Sequence, residues 1–281
     1  MTPALRSGAS AADRCVIEAR EMNSMNSTDP ASTDVLRRWG TPFLAALQFL
    51  TLAPLPARLF TPLEMGRAVG YFPLVGALLG GLLALLDRGL GAIWPASVAS
   101  ALVLVAWVGL TGALHLDGFL DTCDGLLGGH SPEERLHIMR DERVGAFAVT
   151  GGVLLLLVKY AALAALPARA PALILVPMLG RWGMALAIAA FPYARPEGLG
   201  RAMKDYAGWR PAVLAGGAAV VLAWIAGGWL GLAAAALASL VTYAVARFSL
   251  GRLPGLTGDI YGATCEIVET ATLLCFAARI F

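Results

Sequence analysis

Long apolar runs separated by short polar connections are the feature that most limits how this chain of 281 residues can fold. A helix needs about 20 mostly apolar residues to cross the hydrocarbon core of a bilayer. Hydrophobic residues make up 58% of the chain and charged residues only 14%, whereas roughly a quarter of the residues of a soluble domain are charged. The runs therefore predict an all-α, polytopic membrane helix bundle with about 6–8 helices in the membrane.

The runs that are long enough to cross a membrane begin near residue 68. The predicted spans cover residues 68–86, 94–114, 144–166, 171–191, 212–230, 231–250 and 262–281. Residues 43–56 are apolar, but this run is too short for a full span and ends in Pro-x-Pro. We therefore predict an interfacial or re-entrant segment there. Residues 1–38 are polar and lack the apolar stretch of a secretory signal peptide. We predict a disordered tail at 1–38 and an integral membrane domain at 39–281.

The distribution of Lys and Arg predicts the orientation, because cytoplasmic connections carry an excess of both. If residues 43–56 do not cross, most basic residues fall on one set of connections. Arg88 and Arg169, with Arg279 at the C-terminus, fall on the other. The loops at 115–143, 192–211 and 251–261 then face the cytoplasm.

Three aspartates follow directly on the second predicted span. Asp117, Asp121 and Asp124 are spaced i, i+4 and i+7, so they share one face of a helix. Like charges this close are stable together if a cation joins them or if some are protonated. Mg²⁺ fits, because it is usually held by one or two carboxylates and by substrate phosphates. The alternative is an acidic, solvated helix end, but beside a span an ionisable residue points first to function.

His115 would lie on the opposite side of this helix, where it packs or forms a hydrogen bond. It could act as a general base only if the helix is broken at Gly118. The four cysteines are scattered without a C-x-x-C pair, which argues against a zinc site and against a disulfide framework.

Residues 130–145 predict a short helix on the membrane surface followed by a basic segment. Ser131 and Pro132, followed by two glutamates, are typical of a helix start. Arg140 and Arg143 flank Asp141, and arginines beside an acidic metal site suit phosphate binding. A juxtamembrane anchor is the alternative for Arg143.

A second acidic cluster lies at the start of the last predicted span. Asp259 and Glu266 are seven residues apart on one helical face, and Glu269 lies further round. Carboxylates in an apolar span need a partner such as a metal, an arginine or a polar substrate. Arg181 is the expected arginine, so an Arg181–Glu266 pair is the structural alternative to substrate or metal binding.

Several of these segments resemble the cobalamin synthase family (adenosylcobinamide-GDP ribazoletransferases), in that family's order and over most of the chain after residue 43. The resemblance rests on the segments YFPLVGALLG, LTGALHLDGFLDTCDGLLGG, RLHIMRDERVGAFAV, GRWGMALAIAAFPYARPEGLG and GLTGDIYGATCEIVE. The aspartate-rich segment and the T-G-D-x-Y-G-A segment are the specific ones.

The resemblance implies a membrane enzyme that joins adenosylcobinamide-GDP to α-ribazole, or to its 5′-phosphate, and releases GMP with Mg²⁺ as cofactor. It implies a bacterial cytoplasmic (inner) membrane location with the active site facing the cytoplasm, and no nucleic-acid partner. The oligomeric state is left open.

With that reaction, the residues described above take roles. Asp117, Asp121 and Asp124 would hold the metal, and Asp121 or Asp124 would take the proton of the attacking hydroxyl. The substrate-binding candidates are His115, Arg140, Asp141, Arg143, Arg181, Asp259 and Glu266.

Two other kinds of protein also place carboxylates beside spans. Another Mg²⁺-dependent membrane transferase acting on a diphosphate is the nearest alternative, but Phe119 and Leu120 follow Asp117-Gly118 where a CDP-alcohol phosphotransferase would have Ala-Arg. A cation- or proton-coupled transporter is less favoured, because the acids lie at the ends of spans and no inverted repeat is visible.

Overall fold

The computed structural model describes residues 30–56 and 58–278, and for residues 30–38 the backbone only. Its regular elements in that part of the chain are helices, joined by one isolated parallel bridge between Tyr193 and Leu256. The prediction of an all-α membrane bundle is confirmed. The α-helices are α1 (Pro30–Leu50), α2 (Pro62–Ala68), α3 (Phe72–Gly91), α4 (Ala96–Leu110), α5 (Leu114–Gly128), α6 (Pro132–Ile138), α7 (Ala146–Ala165), α8 (Arg169–Ala190), α9 (Leu199–Ala207), α10 (Trp209–Leu250) and α11 (Gly258–Ala277).

The site lies in the folded unit Pro42–Phe281, and the shorter unit Met1–Thr41 contributes the start of α1. The first 29 residues of the predicted tail lie outside the described residues, and its last nine belong to α1. α1 ends at Leu50, so the apolar segment 43–56 is only partly helical. α1 is also not among the described helices that are long and apolar enough to cross a membrane.

Five helical stretches of the described residues are long and apolar enough to cross: Pro62–Gly91, which joins α2 to α3, and α7, α8, α10 and α11. The pair α4 and α5 makes a sixth if the two count as one broken span. At the end of the bundle opposite to the site, Arg169 at the start of α8 bonds the Asp87 carboxylate in the last turns of α3 at 2.6 Å. Arg88 and Arg169 therefore lie at the same end, as the charge pattern predicts.

α10 has 42 residues, about 63 Å at 1.5 Å per residue, which is twice the thickness of the hydrocarbon core. It is broken at Gly228, whose φ of 55° and ψ of −137° are not helical. Beyond the break the chain folds back, so that Gly231 lies against the carbonyl of Ala223 and the rings of Trp224 and Trp229 are 5.2 Å apart. The two arms correspond to the predicted spans 212–230 and 231–250.

The predicted span 94–114 is wrong at its C-terminal end. α4 ends at Leu110, and the chain bends by 87° before α5 begins at Leu114. Gly112 and Ala113 both have left-handed backbone angles, with φ of 59° and 56°, a conformation that ends a right-handed helix. The bend turns the aspartate-rich helix out of the direction of the span that precedes it.

α8 lies at the centre of the bundle and is the most buried of the candidate spans. Its neighbours approach it through glycines. A Cβ at Gly76 of α3 would lie 2.7 Å from the Cα of Met178, and a Cβ at Gly183 of α8 itself would lie 2.8 Å from Thr242 Oγ1 of α10. Small residues at such crossings let membrane helices pack closely where lipid provides no hydrophobic drive.

Candidate active site

The two acidic segments of the sequence meet where α5 crosses α11. A Cβ on Gly118 would lie 2.9 Å from the carbonyl oxygen of Asp259, and a Cβ on Gly262 would lie 3.1 Å from the carbonyl oxygen of His115. Only glycine on both helices permits this approach of backbone to backbone. The crossing brings Asp117 and Asp259 into the lining of one cavity, although they are 142 positions apart in the sequence.

A cavity of about 480 Å³ opens at this crossing. Its charged and aromatic lining includes Asp117, Arg140, Tyr193, Arg195, Asp259 and Tyr261. These residues come from the N-terminal turns of α5 and α11 and from the loops before α7 and after α8. All of these connections belong to the set that the charge pattern assigns to one side of the membrane.

Asp117 and Asp121 occupy successive turns of α5. Asp117 is exposed to the cavity, whereas Asp121 is partly buried and does not line it. Asp121 lies within electrostatic range of Asp117, Asp124, Asp259 and Arg195. The first two predicted aspartates thus gather with Asp259 around one arginine.

Asp124 has a structural position that the sequence analysis did not foresee. Its carboxylate accepts hydrogen bonds from the backbone N–H of Gly145 at 2.6 Å and of Ala148 at 2.9 Å, at the start of α7. A Cβ on Gly145 would lie 2.6 Å from the same carboxylate. Asp124 is therefore a tertiary N-cap of α7, with its charge at the positive end of the helix dipole, and each of its oxygens accepts one of the two hydrogen bonds.

Asp259 is held by Arg195, one of the basic residues of loop 192–211 that counted in the sequence only toward the orientation. Arg195 Nη2 donates to Asp259 Oδ2 at 2.7 Å, and Thr257 Oγ1 donates to the same oxygen at 3.2 Å. Burial raises the pKa of the Tyr193 hydroxyl, two residues before Arg195. The ring of Tyr193 stacks on that of Tyr261 at 5.9 Å. The loop after α8 therefore belongs to the site.

Of the basic segment 140–143, only Arg140 lines the cavity. Arg143 and Asp141 pair with each other, with Nη2 and Oδ2 2.7 Å apart, and the Arg143 side chain is 88% exposed. The hydrogen bonds from Arg143 lower the pKa of Asp141 to about 2. In this geometry Asp141 and Arg143 do not line the cavity, and their contact with substrate stays a prediction.

Glu266 belongs to a buried ion network inside the bundle. Lys159 Nζ of α7 lies 2.5 Å from Glu266 Oε2 and 2.6 Å from Glu269 Oε2. Arg181 of α8 pairs with Glu269, whereas the structural alternative proposed from the sequence was a pair with Glu266. The two cations and two anions balance, as buried charges require, so Glu266 and Arg181 are explained without substrate. Lys159 was missed, and its only sequence signal is a lone cation in an apolar run.

His115 is buried between this network and the cavity. Its Nδ1 lies 3.3 Å from Arg181 Nη2, and its exposed fraction is 1%. α5 runs unbroken through Gly118, so the condition set for a general base is not met. His115 lines the cavity, however, and therefore remains a candidate for substrate contact.

Within the described residues, no group of three His, Cys, Asp or Glu side chains is arranged to hold a metal ion. The three aspartates of α5 thus do not form a closed metal site. Carboxylates that flank a cavity still fit Mg²⁺, because that ion takes one or two protein carboxylates and completes its shell with substrate phosphates and water. The cavity lining carries three carboxylates, Asp117, Glu197 and Asp259, and the first and last of these lie on the two crossing helices.

Fold and site together define a class of protein: a polytopic, all-helical membrane protein with an acidic, arginine-containing cavity at the ends of its helices. The chain matches the family model described as cobalamin-5-phosphate synthase over residues 42–277. It therefore belongs to that family.

Curated relatives extend the match along nearly their whole length, and each is named adenosylcobinamide-GDP ribazoletransferase. The protein from Roseiflexus sp. (strain RS-1) is 41% identical over 89% of this chain and 95% of its own. Those from Pseudomonas fluorescens and Pseudomonas aeruginosa are 42% and 44% identical, each over 83% of this chain and 97% and 96% of their own. No solved structure matches the chain.

Proposed function

We propose that this protein transfers adenosylcobinamide phosphate from adenosylcobinamide-GDP to α-ribazole or its 5′-phosphate and releases GMP, with Mg²⁺ as cofactor. The names of its relatives support the substrates. The observation that supports the chemistry is the cavity at the crossing of α5 and α11, which combines carboxylates with arginines. A diphosphate substrate with its cation needs both kinds of group.

In this reaction a ribose hydroxyl of the acceptor attacks the phosphorus that is attached to cobinamide. A new P–O bond forms, the P–O bond to GMP breaks, and the hydroxyl loses its proton. Such transfers depend on positioning and on charge neutralisation more than on covalent chemistry by the protein. The residues of the cavity supply these two effects.

We assign the cation to Asp117 and Asp259, with the substrate diphosphate as the remaining ligand. When bound, Mg²⁺ neutralises the diphosphate and favours departure of GMP. The proton of the attacking hydroxyl stays assigned to Asp121, as the sequence predicts; Asp121 lies one turn along α5 from Asp117 and outside the cavity lining. Asp124 is not part of this assignment, because its oxygens cap α7.

Arg140 and Arg195 bind phosphate oxygens of the donor, since arginine suits phosphate by geometry as well as by charge. Arg195 also holds Asp259 at 2.7 Å. It therefore links the phosphate to the carboxylate that binds the cation. The side of the membrane that carries these arginines is the cytoplasmic one in our proposal, in a bacterial inner membrane.

The alternatives explain the molecule less well. The buried carboxylates Glu266 and Glu269 are charge-balanced by Lys159 and Arg181, so they do not call for a transported ion. A different diphosphate transferase would share the cavity chemistry, but the relatives' names favour the ribazole acceptor.

The test is GMP release by the purified protein in mild detergent, given adenosylcobinamide-GDP, α-ribazole and Mg²⁺. We expect release that requires the acceptor and stops when a chelator removes the metal. Absence of release from a well-folded sample, repeated in lipid, would contradict the proposal. Release without α-ribazole would instead indicate hydrolysis of the donor.

A further inference from the structure

Buried polar atoms without partners are concentrated around the cavity. Six side-chain nitrogen or oxygen atoms of the described residues are buried without a hydrogen-bond partner, and three of them belong to cavity-lining residues. They are His115 Nε2, Arg195 Nε and Tyr261 OH. A buried polar atom costs free energy unless it is paired, so three such atoms on side chains that line one cavity point to a ligand that pairs with them when it binds.

The protonation of His115 follows from its other ring nitrogen. Nδ1 faces Arg181 Nη2 at 3.3 Å, and a guanidinium group can only donate. Nδ1 must therefore accept, and in the neutral ring the proton is then on Nε2. Arg181 is itself fixed by Glu269, which Lys159 also holds. The buried ion network thus leaves Nε2 of His115, a residue of the cavity lining, as a hydrogen-bond donor without a partner.

The other two atoms without a partner can also act as hydrogen-bond donors. Arg195 Nε is a donor only, and the Tyr261 hydroxyl can donate. Tyr261 is 3% exposed, so water cannot easily satisfy it. A group that pairs with three donors is an acceptor with several lone pairs and negative charge, as the non-bridging oxygens of a phosphoryl group are.

We propose that His115, Arg195 and Tyr261 form a donor subsite for the non-bridging oxygens of the phosphoryl group that is transferred. This inference rests on the proposed function and extends it, because it adds Tyr261, which the sequence pattern did not reveal, and gives His115 a defined role. The subsite faces the same cavity as Asp117 and Asp259. The phosphoryl group would therefore meet donors from one set of residues and the cation from the other.

The tautomer can be measured without turnover. The chain has three histidines, so ¹⁵N-histidine NMR of the protein in detergent gives three ring systems, which His130→Asn and His137→Asn assign by elimination. We expect an unprotonated Nδ1 and a protonated Nε2 for His115, and a shift of the Nε2–H signal when GDP is added as the probe. A protonated Nδ1, or a His115 signal that GDP leaves unchanged, would overturn the proposal.

The kinetics of GMP release test whether the reaction uses His115 Nε2 as a hydrogen-bond donor. In His115→Gln the side-chain amide nitrogen reaches the place of Nε2, whereas in His115→Asn it reaches only that of Nδ1. We expect His115→Asn to lower kcat/KM about 100-fold and His115→Gln less than about 10-fold. Tyr261→Phe should lower it about 10-fold or more. The exposed controls His137→Asn and Tyr243→Phe should leave it unchanged.

Two results distinguish this proposal from the function on which it rests. If the wild-type protein binds GDP at His115 but releases no GMP, the subsite stands and the proposed reaction fails. If GMP is released and His115→Asn and His115→Gln are equally active or equally impaired while both remain folded, the donor role of Nε2 is wrong.

Discussion

Aspartates that are close together in the sequence have different roles in the site, because their side chains face different neighbours. Asp117 opens into the cavity, whereas Asp124, two turns further along α5, is turned to the backbone amides of α7. Both lie on the helical face that the i, i+7 spacing defines. The spacing therefore identifies a common face but does not distinguish a ligand-binding carboxylate from a helix cap.

Replacement of Asp124 and of Asp121 should affect different properties. Asp124→Ala removes the cap of α7, and we expect it to lower the free energy of unfolding by about 1–2 kcal/mol while the folded fraction still releases GMP. Asp121→Asn should leave the thermal midpoint unchanged and lower GMP release at least about 100-fold. Thermal unfolding in detergent and GMP release measure the two effects. An active Asp121→Asn protein would contradict the role of Asp121 as proton acceptor.

At the scale of elements, glycines and buried charges fix how the helices meet. The crossing of α5 and α11 depends on Gly118 and Gly262, and the contacts of α7 and α8 with α11 depend on the network of Lys159, Arg181 and the two glutamates. The first arrangement makes the cavity. The second arrangement joins α7 and α8 to α11 beside the cavity.

A methyl group at the crossing should separate the two acidic clusters. In Gly118→Ala the new Cβ would lie 2.9 Å from the carbonyl oxygen of Asp259, so α5 and α11 must move apart. We expect GMP release to fall about 10-fold or more, with insertion into the membrane preserved. Gly109→Ala in α4 is the matched control, because its Cβ would meet no atom within 4 Å. Equal activity of the two variants would show that the close approach is dispensable.

The ion network should behave as a charge-balanced unit. Lys159→Met leaves Glu266 and Glu269 with Arg181 alone, and a buried charge without its partner costs about 3–5 kcal/mol. Adding Glu266→Gln restores neutrality, so the double variant should recover most of the lost stability. Thermal unfolding of both variants in detergent tests this coupling. A double variant less stable than Lys159→Met would mean that the charges do not compensate one another.

At the scale of the whole molecule, the sequence predicts the membrane spans, and the end of the bundle at which the site lies, better than it predicts the contacts within the site. Desolvation of the backbone forces apolar runs into helices, so most spans could be located from hydropathy. The bend before α5 could not, because the apolar run continues through Leu110–Leu114 and the left-handed Ala113 carries no strong sequence signal. Lys159 and Arg195 were missed as site residues because their partners are 107 and 64 positions away.

Labelling of introduced cysteines tests the orientation. Glu133→Cys places an exposed thiol on α6, and Ile93→Cys places one in the turn between α3 and α4, where Ile93 is 73% exposed. In intact cells an impermeant maleimide should label Ile93→Cys and spare Glu133→Cys, with the wild-type chain as the measure of background labelling. The reverse pattern would place the cavity on the outer side.

The central claim is that the acidic ends of α5 and α11 form one metal-dependent site. The measurement that tests it most directly is the Mg²⁺ concentration needed for half-maximal GMP release by the wild type, Asp117→Asn, Asp259→Asn and Asp121→Asn. We expect Asp117→Asn and Asp259→Asn to need several-fold more Mg²⁺, whereas Asp121→Asn should lose rate without a change in that requirement. An unchanged requirement in Asp259→Asn, with Asp117→Asn altered, would contradict a site shared by the two helices.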